Sequence, residues 1–128
     1  MKILVLGGYG LIGLAITRAL IAAGHEVTGL GRSVQKGRAA APEAGWIGAD
    51  LSLMTDAVAW APVLRGIEVV INAAGVLQDG LKDRVAAVQR DSILALTVAG
   101  REAGVPVRET VEGLNLQVRS VALVPVRL

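Results

Sequence analysis

Gly7, Gly10 and Gly13 stand three residues apart in Ile3-Leu-Val-Leu-Gly-Gly-Tyr-Gly-Leu-Ile-Gly13, directly after an apolar run and directly before residues of helical periodicity. Glycines at this spacing let the chain turn tightly, bring its backbone close to a ligand and pack the following helix against a sheet. The N-terminus of that helix offers unpaired N–H groups and the positive end of its dipole to an anion. A strand, a glycine turn and a helix in this order form a seat for the pyrophosphate of a dinucleotide, with Gly7, Tyr9, Gly10, Leu11, Ile12 and Gly13 as the candidate contacts. The bland alternative is a tight strand-to-helix turn with no ligand.

The second group with chemical consequence is Gly31-Arg32-Ser33, about twenty positions further on, where a dinucleotide site that prefers a free ribose carries a carboxylate. No carboxylate stands there to repel a 2′-phosphate, and Arg32 brings a planar fork of donors that suits one. Arg32 and Ser33 therefore favour NADP(H) over NAD(H). Lys36 and Arg38 are close enough in sequence to assist, although solvated loop charges are the default reading for both.

These groups need a scaffold, and the sequence supplies one. Lys2–Leu6 reads as a first strand and Leu11–Ala23 as a helix that stops at Gly24. Residues 26–30 form a second strand, and 31–45 lacks the apolar periodicity of a full crossover helix, so that connection is short or irregular. Trp46-Ile47-Gly48 gives a brief third strand. A helix capped by Ser52 or Thr55 runs towards Leu64, with Pro62 expected to kink it or end it early. Residues 68–72 make a fourth strand, buried on both faces by Val69-Val70-Ile71. Residues 81–103 then carry Val85, Val88, Ile93, Leu96 and Ala99 at helical spacing. Four strands alternating with helices imply an α/β fold with a doubly wound parallel sheet in a single domain, residues 1–128, with an atypical tail over 105–128.

Composition removes several function classes. The 128 residues contain no cysteine, which excludes disulfide scaffolds, thiol nucleophiles and thiolate metal sites. Thirteen basic residues are dispersed among eleven acidic ones for a net charge of +2, and phenylalanine is absent, so neither a nucleic-acid patch nor a base-stacking platform is present. Although 53% of the residues are hydrophobic, none of the apolar runs has the length of a membrane span, and the N-terminal run reads as a strand rather than an export signal. A cytoplasmic protein is expected. His25, the sole histidine, follows Gly24 in a turn and has no carboxylate beside it with which to build a triad or a metal site.

With these elements placed, the chain resembles the extended and atypical short-chain dehydrogenase/reductases, which include the NAD-dependent epimerase/dehydratases. The resemblance covers roughly residues 1–105 and rests on Gly7-x-x-Gly10-x-x-Gly13, on Asp50-Leu51 after the third strand and on Asn72-Ala-Ala-Gly75 after the fourth. It implies a Rossmann-like sheet of order 3-2-1-4 plus a C-terminal strand, truncated relative to the full family fold. It also implies that Asp50 and Leu51 contact the adenine ring, Asp50 accepting from its amino group, and that Ala73, Ala74 and Gly75 line the cofactor near the ribose. The residues themselves leave other readings open, with Asp50 as a cap or a turn residue and 72–75 as a tight turn of small residues.

The family's proton relay is a Tyr-x-x-x-Lys pair, and this sequence has none. Tyr9, its one tyrosine, lies in the glycine turn, where it is placed to shield or flank the pyrophosphate, and Lys2, Lys36 and Lys82 all stand elsewhere. A fifth strand carrying an active-site serine is not recognisable after the long helix. Pro106 suits the first turn of a short helix ending at Gly113. Leu114–Val124 reads as a strand resembling a later family strand, with Ser120 in place of its proline, from either internal shortening or a truncated or frame-shifted tail. Three functional classes follow: a cofactor-binding module without turnover of its own; an oxidoreductase or sugar-nucleotide epimerase using other residues, with Gln89, Asp91 or Ser92 as candidates; and a fragment or structural subunit. Because the fourth strand would be an apolar edge, the tail from Leu114 to Val124 is expected to cover it, and a homodimer to cover what remains.

Overall fold

A computed structural model of the chain describes residues 1–73, 83–105 and 107–109, with 83–90 and 107–109 described by their backbone. The elements run β1 (Lys2–Leu6), α1 (Leu11–Ala22), β2 (Glu26–Gly31), α2 (Val34–Ala40), β3 (Gly45–Gly48), a 3₁₀ turn (Leu51–Leu53), α3 (Ala57–Leu64), β4 (Val69–Asn72), α4 (Asp83–Ala103) and β5 (Val107–Glu109). All strand pairs are parallel and the sheet order is β3-β2-β1-β4-β5. This is the doubly wound α/β arrangement expected from the sequence.

Strand alternation divides the core in two. Ile3 and Val5 of β1 pack with Val69 and Ile71 of β4 against Ile16 and Leu20 of α1. Leu4, Leu6 and Val70 point the other way, onto Trp60 and Leu64 of α3 and Ile93, Leu96 and Ala99 of α4. Both faces of β1 and β4 are therefore covered, which is why these strands are apolar at successive positions instead of every second one. Helix α1 ends where the chain takes φ +89° at Gly24.

Three local expectations are corrected. The cap of α3 is Asp56, whose Oδ1 accepts from the Ala59 amide at 2.9 Å, and neither Ser52 nor Thr55 takes that role. Ser52 lies in the preceding 3₁₀ turn, whereas Asp56 immediately precedes Ala57 and brings a carboxylate to the positive end of the helix. Pro62 does not end α3, which continues through Val63 and Leu64. The ring forfeits one bond, to the carbonyl of exposed Val58, while buried Trp60 and Leu64 hold the helix on the sheet.

The third correction concerns the far edge. Residues after Pro106 form a strand and not a helix: Val107–Glu109 pair with Val70–Asn72. A fifth strand thus follows α4 directly and covers β4, the task assigned above to Leu114–Val124, a segment outside the described residues. Three residues carry too little periodicity to declare a strand, and the open edge of β4 supplies the hydrogen-bonding partner that settles their conformation.

Candidate functional site

The sheet order reverses at β1. The chain moves outward through β2 and β3, then returns to place β4 on the other side of β1, so the carboxyl ends of β1 and β4 flank the switch point at which ligands bind in open α/β sheets. Backbone bonds fix how the loops start. The Gly7 amide donates to the Leu30 carbonyl at 2.8 Å, Ala73 to Leu6 at 3.0 Å, and Ala49 to Gly31 at 2.9 Å. The ends of four strands and their first loop residues are held as one rim.

Within that rim the glycine turn has two kinds of glycine. Gly7 takes φ +70°, the left-handed region that L side chains rarely adopt, and its carbonyl accepts from Gly10 at 3.0 Å. Gly13 is buried; a Cβ there would lie on the Gly7 carbonyl group and 3.1 Å from the Gly8 Cα, so only a hydrogen fits. Gly10 is different. It is exposed, its φ of −68° suits any residue, and a Cβ would meet only the Gly7 oxygen, at 3.3 Å. The protein's own packing asks little of Gly10, and its bareness keeps the space outside the turn clear.

No side chain caps α1, and its first backbone bond runs from Leu14 to the Gly10 carbonyl at 2.8 Å. Among the described residues none accepts from the N–H groups of Leu11, Ile12 or Gly13, which are left for an anion at the positive end of a twelve-residue helix. Leu11 is 82% exposed. Thr17 steadies the arrangement from below, its buried hydroxyl donating to the Gly8 carbonyl at 3.1 Å. The open space at Gly10 and the orphan donors fit a pyrophosphate.

The ends of β2 and β3 bring charge beside this turn. Arg32 places a guanidinium nitrogen 3.7 Å from Asp50 Oδ1, with the two side chains 77% and 39% exposed. The same oxygen accepts from the Ser52 hydroxyl at 2.7 Å and the Ser52 amide at 2.9 Å, so Asp50 caps the 3₁₀ turn. These Ser52 bonds hold the Asp50 carboxyl below its ordinary value against an opposing desolvation, with the smallest contribution from Arg32. Leu51 packs on the core face that carries α3 and α4. Ser33 is the cap of α2, its Oγ accepting from the Lys36 amide at 3.2 Å; the Lys36 and Arg38 side chains are exposed.

Tyr9 and Trp46 join the two halves. The Ser33 amide donates to the Tyr9 hydroxyl at 3.0 Å, and the Tyr9 ring lies 5.8 Å from that of Trp46, tilted by 48°. Trp46 fills a slot bounded by Gly8, Gly29 and Gly37, where added Cβ atoms would meet its ring, and its indole donates to the Ala41 carbonyl at 2.9 Å. Trp46, Thr17 and Ser52 were not among the sequence candidates. Their signal lay in glycines from separate segments facing one aromatic, and in a serine two residues after an aspartate.

Of the remaining candidates, Ala73 is buried on the α1 side of the sheet, while Ala74 and Gly75 lie outside the described residues. Ser92 is fully buried, with no hydrogen-bond partner for its Oγ among the described residues, and is withdrawn from any substrate. Asp91 is exposed and borders an open groove of about 440 Å³ with Thr55, Ala57, Leu94 and Val98, between α3 and α4. The Gln89 side chain is outside the described residues. His25 sits in its turn, Nδ1 3.2 Å from the chain's terminal amine. Among the described residues there is no cluster suited to a metal ion, and no helix is long and apolar enough to cross a membrane.

Solved structures share this fold. The Bordetella bronchiseptica enzyme WbmG in complex with NAD is similar at 20% identity and TM-score 0.68, over 85% of this chain and 36% of that one. A nucleoside-diphosphate-sugar epimerase from Pseudomonas aeruginosa is 26% identical with TM-score 0.61, over 85% and 32%. UDP-glucose-4-epimerase from Stenotrophomonas maltophila, solved with bound NAD, is 22% identical with TM-score 0.66, over 85% and 36%. The chain therefore spans about a third of the length of these structures. No curated protein matches it. The profile of the NAD dependent epimerase/dehydratase family matches residues 3–105, from the first residues of β1 to the end of α4, and the chain, with its glycine turn and its reversal of strand order at β1, belongs to that family.

Proposed function

We propose that the chain binds NADP(H) across the β1 and β4 loops and by itself turns over no carbonyl substrate. Gly10 is the observation that carries the binding: it is a glycine the fold scarcely needs, set beside helix donors that no described residue accepts from. Gly7, Leu11, Ile12 and Gly13 hold the pyrophosphate, Asp50 and Leu51 face the adenine, and Ala73, Ala74 and Gly75 flank the ribose side. Arg32 supports the phosphorylated cofactor. It is exposed, weakly tethered to Asp50, and turns towards a 2′-phosphate at little cost. Similar structures with bound NAD support the dinucleotide class.

When bound, the nicotinamide supplies hydride transfer. In this reading none of the described residues gives a proton at the substrate, because the one tyrosine stands beside the glycine turn with its oxygen on the Ser33 amide and Ser92 is buried. The reading includes a cytoplasmic setting, a partner that contributes the catalytic groups, and a homodimer formed through exposed apolar residues such as Val58, Leu94 and Val98. Calorimetric titration with NADPH and NADH tests the cofactor. Arg32→Ala removes charge-assisted bonds of about 1.5–3 kcal/mol, so NADPH affinity falls roughly ten- to hundredfold while NADH changes little. Equal losses for both cofactors refute the assignment of Arg32, and steady NADPH oxidation with ketones, aldehydes or sugar nucleotides refutes the absence of turnover.

A further inference from the structure

Tyr9 is the polar residue at the rim whose bonding is incomplete in an informative way. Its ring is fixed on three sides. It lies over Gly31, where an added Cβ would come within 2.9 Å of Tyr9 Cζ, it leans on Trp46 at 5.8 Å, and its oxygen accepts the Ser33 amide at 3.0 Å. Trp46 is itself locked into its slot by the Ala41 carbonyl. The phenol is thus a rigid strut between the glycine turn and the β2–α2 turn, with its oxygen at Ser33, one residue after Arg32.

A phenolic hydroxyl both accepts and donates. The acceptor side is used by Ser33, and among the described residues nothing accepts the proton of the Tyr9 hydroxyl. Tyr9 is half-buried, so this donor is reachable by a group lying along the turn. Next to Arg32, a preset O–H suits an acceptor-rich anion better than a neutral hydroxyl. We propose that Tyr9 is a specificity-determining residue whose Oη–H donates to the phosphate ester of a 2′-phosphorylated adenine nucleotide, alongside Arg32. This rests on the NADP(H) reading above and adds a second donor, on a different element, to the discrimination between the two cofactors.

Tyr9→Phe keeps the ring on Gly31 and Trp46 and removes only the hydroxyl. Calorimetry with NADPH, NADH, adenosine 2′,5′-bisphosphate and 5′-AMP is expected to show about tenfold weaker binding of the two 2′-phosphorylated probes, with the other two within twofold. Selectivity is the decisive readout, since a strut acting only through Ser33 would weaken all four alike. Equal loss for all four probes, or no loss, overturns the proposal. Because Tyr9 is the sole tyrosine, uniform 3-fluorotyrosine labelling gives a fluorine signal from this site alone in a chain of otherwise native sequence. That signal should move with the bisphosphate and much less with 5′-AMP, and equal movement counts against the proposal even if Tyr9→Phe does not fold. Loss of the NADPH preference in Arg32→Ala but not in Tyr9→Phe would leave the NADP(H) reading standing and remove Tyr9 from it. A native chain that binds NADH as tightly as NADPH would bring down both.

Discussion

Replacing Gly10 and Gly13 separately with alanine distinguishes a glycine kept for a ligand from one kept for the fold. At Gly13 the new methyl would lie on the Gly7 carbonyl, 2.7 Å from its carbon, and the obstacle is backbone, which cannot rotate aside. Overpacking of this kind costs about 3 kcal/mol, of which the better helix propensity of alanine returns up to ~1. A net loss of about 2–3 kcal/mol lowers Tm by roughly 8–12 °C in a chain of this size. At Gly10 the methyl meets one oxygen at 3.3 Å with φ −68°. Alanine is a poorer N-cap than glycine by up to about 1 kcal/mol, and the stiffer unfolded chain offsets about 0.4–1 kcal/mol of that. Tm should therefore stay within about 4 °C of the parent. The Gly10 methyl does intrude where a pyrophosphate would approach Leu11 and Ile12, and losing two charge-assisted bonds weakens NADPH by at least about a hundredfold. Thermal unfolding by circular dichroism and calorimetric titration are run on both variants. Native affinity in Gly10→Ala would refute the phosphate seat, and native Tm in Gly13→Ala would refute the packing argument.

Ser52→Ala should raise the Asp50 pKa towards the ordinary carboxylate value, since the Ser52 hydroxyl is the largest cause of its depression; carbon-detected NMR titration reads this directly, and an unmoved value would show that another group sets it. The sign for stability follows: a depressed folded-state pKa stabilises the fold at pH above the ordinary aspartate value, and that contribution is lost as pH falls through the Asp50 value. In the variant the stability profile should flatten over that acidic window, so that the variant is slightly less stable than the parent at pH 7 and the difference closes as pH falls through the Asp50 value. Light scattering over a concentration series should report a homodimer, and Leu94→Glu with Val98→Glu, on the exposed side of α4, should shift it to monomer; a native chain that is monomeric throughout would refute the dimer.

How far the sequence carried the structure depends on whether a feature was local. β1 was legible to the residue because Ile3, Leu4, Val5 and Leu6 are apolar without a gap and Gly7 ends the run. α4 was legible because its apolar spacing persists over several turns. β5 was not, because three residues after a proline carry no period, and their strand exists through the edge of β4. The cap of α3 went to Asp56 because Ser52 was already committed to Asp50, a competition visible only once the 3₁₀ turn is in place.

The site divides in the same way. Glycine spacing named the turn, yet it did not separate Gly13, excluded from bearing a side chain by the Gly7 carbonyl, from Gly10, which is not. Arg32 was legible as a cation at the end of β2, but its neighbour was not. Asp50 stands eighteen positions later in the sequence and comes within 3.7 Å because Gly31 and Gly48 are register partners at the ends of adjacent strands. That adjacency places the carboxylate proposed to face the adenine beside the guanidinium proposed to meet the 2′-phosphate, so the two proposed roles fall on one ion pair. Tyr9 depends on the same convergence. Its hydroxyl reaches Ser33 twenty-four residues away because β1 and β2 are paired, with Leu6 opposite Leu30. The residues that could recognise a pyrophosphate are contiguous and were read directly, whereas those that could recognise the ribose are assembled by the sheet, and their roles follow only from its strand order.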